Sequence, residues 1–138
     1  MWPGRSVREA LAGQPVRLAS ATITSVLSSL VWTVAFHPAA EKELGGLSAI
    51  GRVAVLHAVE KLAAIGPALP HPHQSDVRGG VGLRELRPRA GRSRVRAFYG
   101  RVGDTFVVVA VGPEAMVDHR GFDRAVRAGE QRLAEVQG

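Results

Sequence analysis

The 138-residue sequence predicts an α+β domain with an N-terminal strand, a helix pair, an antiparallel three-stranded meander and a C-terminal helix. Three observations carry that expectation. The run VWTVAF alternates side chains and stops at Pro38, a long helical stretch follows, and three short strand-like runs come after a Pro/Gly-rich loop, separated by the turn sequences PRAGRS and GRVGD. Elements in that order fit helices packed against one face of an antiparallel sheet.

Each element has its own signature. In VWTVAF, Trp32, Val34 and Phe36 share one side, and Pro38 ends the strand and opens a helix. Ala39 to Leu47 reads as a short helix weakened by Gly45 and Gly46. A second helix, Ser48 to Ile65, carries Ile50, Val53, Leu56, Val59 and Leu62 and is stopped by Gly66 and Pro67. Its apolar residues cover much of its circumference, so it must meet more than one sheet face, or a partner covers part of it. The loop from Gly66 to Gly80 holds five Pro and Gly positions between Pro67 and Gly80 and reads as irregular.

The meander strands are Gly82 to Arg87, Arg94 to Tyr99 and Thr105 to Val111. The last, TFVVVAV, is apolar on both faces and belongs inside the sheet. In the middle strand, Arg94, Arg96 and Phe98 face one way and Val95, Ala97 and Tyr99 the other. A final helix from about Gly121 repeats Phe122, Val126, Gly129 and Leu133 at spacings of three or four.

The domain spans residues 31–138. Residues 1–30 are Ser/Thr/Ala-rich and read as a poorly ordered extension or a misassigned start. Arg5, Arg8 and Arg17 before the run from Leu18 to Leu30 have the outline of a leader, but that run is too polar for a signal peptide or membrane span. A cytoplasmic protein with no membrane partner is expected.

Charge is local. The segment from Arg78 to Arg101 holds eight arginines against the single acid Glu85, a net of +7, whereas the whole chain carries +6. A polyanion is therefore the expected contact, because each phosphate bound returns condensed counterions to solvent. There is no cysteine, so thiolate chemistry and disulfides are excluded. Five scattered histidines form no metal motif, and neither metal nor cofactor is expected.

The opening WTVAF, the central GLRELR, the strand RVRAFY, the apolar strand after it and the closing Phe122-x-x-Ala125 helix together resemble phage-derived toxins related to HigB, in the RelE/ParE superfamily of bacterial toxin–antitoxin systems. The resemblance covers about Val31 to Leu133. It implies the toxin of a type II system, a metal-independent endoribonuclease that cleaves messenger RNA at the ribosome. It also implies a helix-turn-helix antitoxin that neutralises the toxin and brings it to operator DNA. The ParE branch, which inhibits gyrase, is a less favoured reading.

Such cleavage needs a polarised ribose 2′-OH, neutralised phosphate oxygens and a protonated leaving oxygen. Arginine meets the second need with its planar fork. By the resemblance, Arg84, Arg87 and Arg96 are the phosphate-binding residues and are expected to converge on one phosphate, with Arg87 and Arg96 stabilising the transition state. Arg92 and Arg94 steer RNA inward. Tyr99, the aromatic of the R-x-x-Y strand, is a candidate for base stacking, although alternation sets it opposite Arg96 and offers a structural role instead. His119 is the candidate general acid or base, with Asp118 or Glu114 near it in sequence.

One departure matters. The family carries a lysine-rich stretch, F-V-K-K-T-x-K-T-P, before its last helix, and here Glu114 and Ala115 take the paired lysine positions and Asp118 the third. Carboxylates there repel RNA. The alternative expectation is thus a catalytically weakened or inactive toxin-fold protein that still binds its antitoxin.

Overall fold

A computed structural model describes residues 32–77 and 82–138; the extension expected over residues 1–30 lies outside them. The chain runs β1 (Thr33–Phe36), α1 (Pro38–Gly45), α2 (Ala49–Ile65), a 3-10 turn (Gly66–Ala68), β2 (Gln74–Asp76), β3 (Arg84–Leu86), β4 (Val95–Val102), β5 (Thr105–Pro113) and α3 (His119–Gln137). The fold is mixed α+β, with an N-terminal strand, a helix pair, an antiparallel meander and a C-terminal helix, as the sequence predicts.

Helix starts follow from capping. His37 Nδ1 accepts from the Ala39 N–H at 3.0 Å, with Pro38 at the first helical position of α1. Ser48 Oγ accepts from the Gly51 N–H at 3.2 Å and opens α2. Gly66 ends α2 at φ 72°, where the Trp32 indole occupies the space a Cβ would need.

The five strands are ordered β1-β5-β4-β3-β2. The helix pair separates β1 from the rest of the sheet in sequence, and β1 lies parallel to β5, with Val34 opposite Phe106. The other three pairings are antiparallel. β5 is central, as its two-sided apolarity requires.

Two expectations change. The loop from Gly66 to Gly80 is not wholly irregular: Gln74–Asp76 form a strand on the outer edge of β3. Pro70 and Pro72 precede this strand and so leave its ladder intact, and the Arg87 N–H donates to His73 O at 2.8 Å. The helices also cover both sheet faces. α1 and α2 bury one face through Val34, Phe36, Val55, Val59, Leu62, Tyr99, Phe106 and Val108. α3 buries the other through Leu83, Phe98, Val107, Val109, Leu133 and Val136. A central strand apolar on alternate sides needs two covers.

A β-bulge between Phe98 and Tyr99 shifts the β4–β5 register, so that Val109 and Ala110 both join the α3 side. Arg132 of α3 grips Glu43 of α1 with both terminal nitrogens, at 3.0 and 2.9 Å, and donates to Val109 O at 2.9 Å. Glu43 Oε1 also accepts from the Val111 N–H at 3.0 Å. This contact ties α1, β5 and α3 together.

Candidate functional site

The arginine-rich segment divides between the two sheet faces. Glu85 and Phe98 are partners across β3 and β4, as are Arg84 and Tyr99 one step earlier, so Glu85 and Arg84 project to opposite sides. Arg96 shares the side of Phe98, as alternation predicts, and lies with Glu85 beneath α3.

Arg96 is almost fully enclosed, 1% exposed. Its Nη1 donates to Ser93 O and Val95 O, and its Nη2 donates to Gly91 O at 3.2 Å and to Glu114 Oε2 at 2.7 Å. Nε lies 2.9 Å from Glu85 Oε2, a charge contact off the hydrogen-bond line. Both terminal nitrogens of the guanidinium are thus hydrogen-bonded within the protein, and Nε faces the Glu85 carboxylate. Burial draws its pKa down, Glu85 raises it, Arg87 lowers it and Glu114 raises it. Two carboxylates therefore compensate one buried cation, and Arg96 positions them instead of presenting a free fork to a phosphate.

Arg87 follows β3 at φ −114° and ψ 88°, half-buried, with Nη1 3.5 Å from Glu85 Oε1. Its Nε is buried without a hydrogen-bond partner among the described residues. Glu85 thus lies between Arg87 and Arg96, and its Oε1 also accepts from Ser75 Oγ at 3.2 Å. Pro88 then opens a tight turn in which Arg89 and Ala90 take φ of 56° and 55°. Left-handed backbone at two residues with side chains reverses the chain sharply and leaves Arg89 exposed. Arg92 and Arg94 are exposed on the same connection, and among the described residues none of Arg89, Arg92 and Arg94 pairs with a carboxylate.

The expected convergence of Arg84, Arg87 and Arg96 is corrected: Arg87 and Arg96 meet at Glu85, whereas Arg84 is on the opposite face. There its Nη1 is 2.8 Å from Asp76 Oδ1 and its Nε donates to Gln74 Oε1 at 3.0 Å. The cause is strand parity, since Arg84 and Arg87 are an odd number of residues apart. Tyr99 is 3% exposed and meets Phe106 edge-on at 5.6 Å, so its ring belongs to the core. Burial pushes its phenol pKa up, against a lowering by Arg84. His119 is in the first turn of α3 rather than a loop, with a side chain 76% exposed and Nε2 3.4 Å from Asp123 Oδ2.

Sequence reasoning gave no partner to Glu85 and set Glu114 near His119, whereas the structure pairs Glu114 with Arg96 and His119 with Asp123. Glu85 was visible as the lone acid of the basic segment, but Glu114 reaches Arg96 only through the β4–β5 pairing. Among the described residues no group of three or more His, Cys, Asp or Glu is placed to hold a metal ion, and no helix is long and apolar enough to cross a membrane.

The sheet is thus covered on one face by a helix pair and on the other by a C-terminal helix, with exposed arginines on the β3–β4 connection. A double arginine-to-alanine mutant of the Escherichia coli toxin RelE in the free state superposes with a TM-score of 0.52, at 18% identity, over 71% of this chain and 97% of that one. The isolated Escherichia coli RelE toxin superposes at 0.47, also 18% identical, over 67% of this chain and 97% of that one. Residues 42–112 match the family described as "Phage derived protein Gp49-like (DUF891)", and the chain belongs to that family. No curated protein matches it.

Proposed function

We propose that the protein is the toxin component of a type II toxin–antitoxin pair, that it acts in the cytoplasm, and that it is a metal-independent endoribonuclease directed at messenger RNA on the ribosome. The carrying observation is the cationic connection between β3 and β4: Arg89, Arg92 and Arg94 stand exposed with no carboxylate partner among the described residues, and Arg87 is at their inner end. The exposed arginines draw in the RNA backbone. Arg87 meets the scissile phosphate, Arg96 holds the carboxylates around it, and His119 is the candidate proton-transfer group. The RelE-like fold and the Gp49-like family support the pairing with a helix-turn-helix antitoxin.

A second reading is favoured by the contact of Glu114 with Arg96, which puts a carboxylate where the resembling family has lysine. In that reading the chain keeps the fold and the antitoxin interface but cleaves poorly or not at all.

Induced expression of residues 31–138 and of the full chain, with and without co-expression of any helix-turn-helix protein found encoded beside it, tests both. The nuclease reading expects growth arrest and new RNA 5′-hydroxyl ends, lost in Arg87→Ala. Neutralisation by the neighbour without either effect supports the second reading. Growth arrest without new ends points to gyrase.

A further inference from the structure

Strand register gathers a second set of cationic and aromatic side chains at the end of β3 and β4 away from their connection. Arg84 is the cross-strand partner of Tyr99, and Arg101 follows Tyr99 by two residues and pairs with Phe106 of β5. All four share one side of the sheet. Arg84 and Arg101 are diagonal neighbours across β3 and β4, with side-chain roots about 7–8 Å apart. They line a cavity of about 640 Å³ together with Tyr99, Phe106, Leu83 and Pro67, the last from the turn that ends α2. That volume lies within the range of about 300–1,000 Å³ usual for small-molecule sites.

We propose that this cavity binds a small phosphate-bearing ligand of mononucleotide size, with Arg84 and Arg101 holding its phosphate. Both forks are already restrained. Arg101 Nε donates to Gly103 O at 2.8 Å, and its guanidinium lies over the Trp32 ring, 4.6 Å from the centroid. Its terminal nitrogens have no carboxylate partner among the described residues. Arg84 is held by Gln74, Asp76 and the Tyr99 hydroxyl. Side chains fixed in this way lose little freedom when an anion arrives.

Charge selects the ligand's anionic group. Among the described residues Asp76 is the one carboxylate lining the cavity, and its side chain is 81% exposed, so it offsets one arginine and leaves the other. A carboxylate ligand would be satisfied by one fork, whereas a terminal phosphate carries about −1.5 to −2 and three acceptor oxygens, enough for two. Pro67, Leu83 and Phe106 give the remaining wall an apolar surface for the organic body. An RNA strand following Arg89, Arg92 and Arg94 lies at the other end of β3 and β4, so a free ligand is the occupant. The inference needs no catalysis and goes beyond the RNA reading.

The test is isothermal titration calorimetry of the full chain with adenosine 5′-monophosphate, adenosine and inorganic phosphate. The monophosphate is expected to bind more tightly than either part, with affinity reduced about tenfold or more in Arg101→Ala and in Arg84→Ala and unchanged in the Arg92→Ala, Arg94→Ala pair. Circular dichroism confirms that the variants are folded. The chain holds two tryptophans, and in Trp2→Phe the fluorescence of Trp32, excited at 295 nm, is expected to shift on binding through its contact with Arg101. The proposal is overturned by no binding, by equal affinity in Arg101→Ala, or by inorganic phosphate binding as tightly as the monophosphate. A short single-stranded RNA whose affinity falls about tenfold in Arg101→Ala overturns it in favour of RNA. RNA cleavage by Arg101→Ala is expected to be unchanged, so failure of this cavity and failure of the nuclease reading are seen in separate assays.

Discussion

Glu114 places its Oε2 2.7 Å from Arg96 Nη2 and so closes, from the end of β5, an ion-pair chain that begins at Glu85 on β3. The carboxylate stands beside the surface proposed to receive phosphate. Glu114→Gln keeps an acceptor for Arg96 and removes the negative charge. RNA affinity, read by filter binding at fixed salt, is expected to rise severalfold, by about 1 kcal/mol at most for this partly exposed group. Unchanged or weaker binding counts against an RNA site here.

Arg96→Ala leaves Glu85 buried without its nearest cation. Breaking a buried pair from one side costs about 3–5 kcal/mol, so urea denaturation is expected to show a large fall in midpoint with little change in slope. Arg96→Lys recovers only part of that loss, because one ammonium cannot span both carboxylates and the loop carbonyls. A loss of less than about 1 kcal/mol in Arg96→Ala would refute the structural role.

The two faces of the sheet predict different salt behaviour. Arg92→Ala combined with Arg94→Ala should lower the slope of log affinity against log salt for single-stranded RNA by about 1.4, at roughly 0.7 per phosphate contact. Arg84→Ala, on the opposite face, should leave the slope unchanged. Equal effects would mean that RNA wraps both faces.

His37 links stability to pH. Burial lowers its pKa first, Arg132 lowers it further, and Glu135 opposes both. The unfolded imidazole, with its ordinary pKa of about 6.5, then binds protons that the folded one refuses. Stability is present in full above that value and falls as pH drops below it toward the depressed folded pKa. His37→Asn keeps a side-chain cap for α1 and should flatten the midpoint of thermal unfolding between about pH 7 and pH 5 relative to the parent.

Gly100 lets α3 approach β4 closely: a Cβ there would meet Leu133 Cδ2 at 2.5 Å and Cδ1 at 2.6 Å. Gly100→Ala should destabilise the fold by about 1–3 kcal/mol in denaturant unfolding. Leu133→Ala in the same chain should recover part of the loss, since the two atoms sets compete for one space.

The sequence alone determined the order of elements, the central place of TFVVVAV and the side of β4 on which Arg96 lies, because strand alternation and Pro/Gly punctuation are local properties. It also marked α2 as too apolar for a single contact, which the exposed Ile50 and Val53 bear out. Tertiary structure decided which arginines are spent inside the protein and which face solvent. Arg96 and Arg94 look alike in the chain, two residues apart, yet one is enclosed by Glu85 and Glu114 and the other is open. Those carboxylates come from β3 and from the residue just after β5, 29 residues apart in sequence, and only the pairing of β3 with β4 and β4 with β5 brings them to one guanidinium. The second helical cover was likewise set by long-range packing, since an apolar pattern states that a face is buried and not which helix buries it.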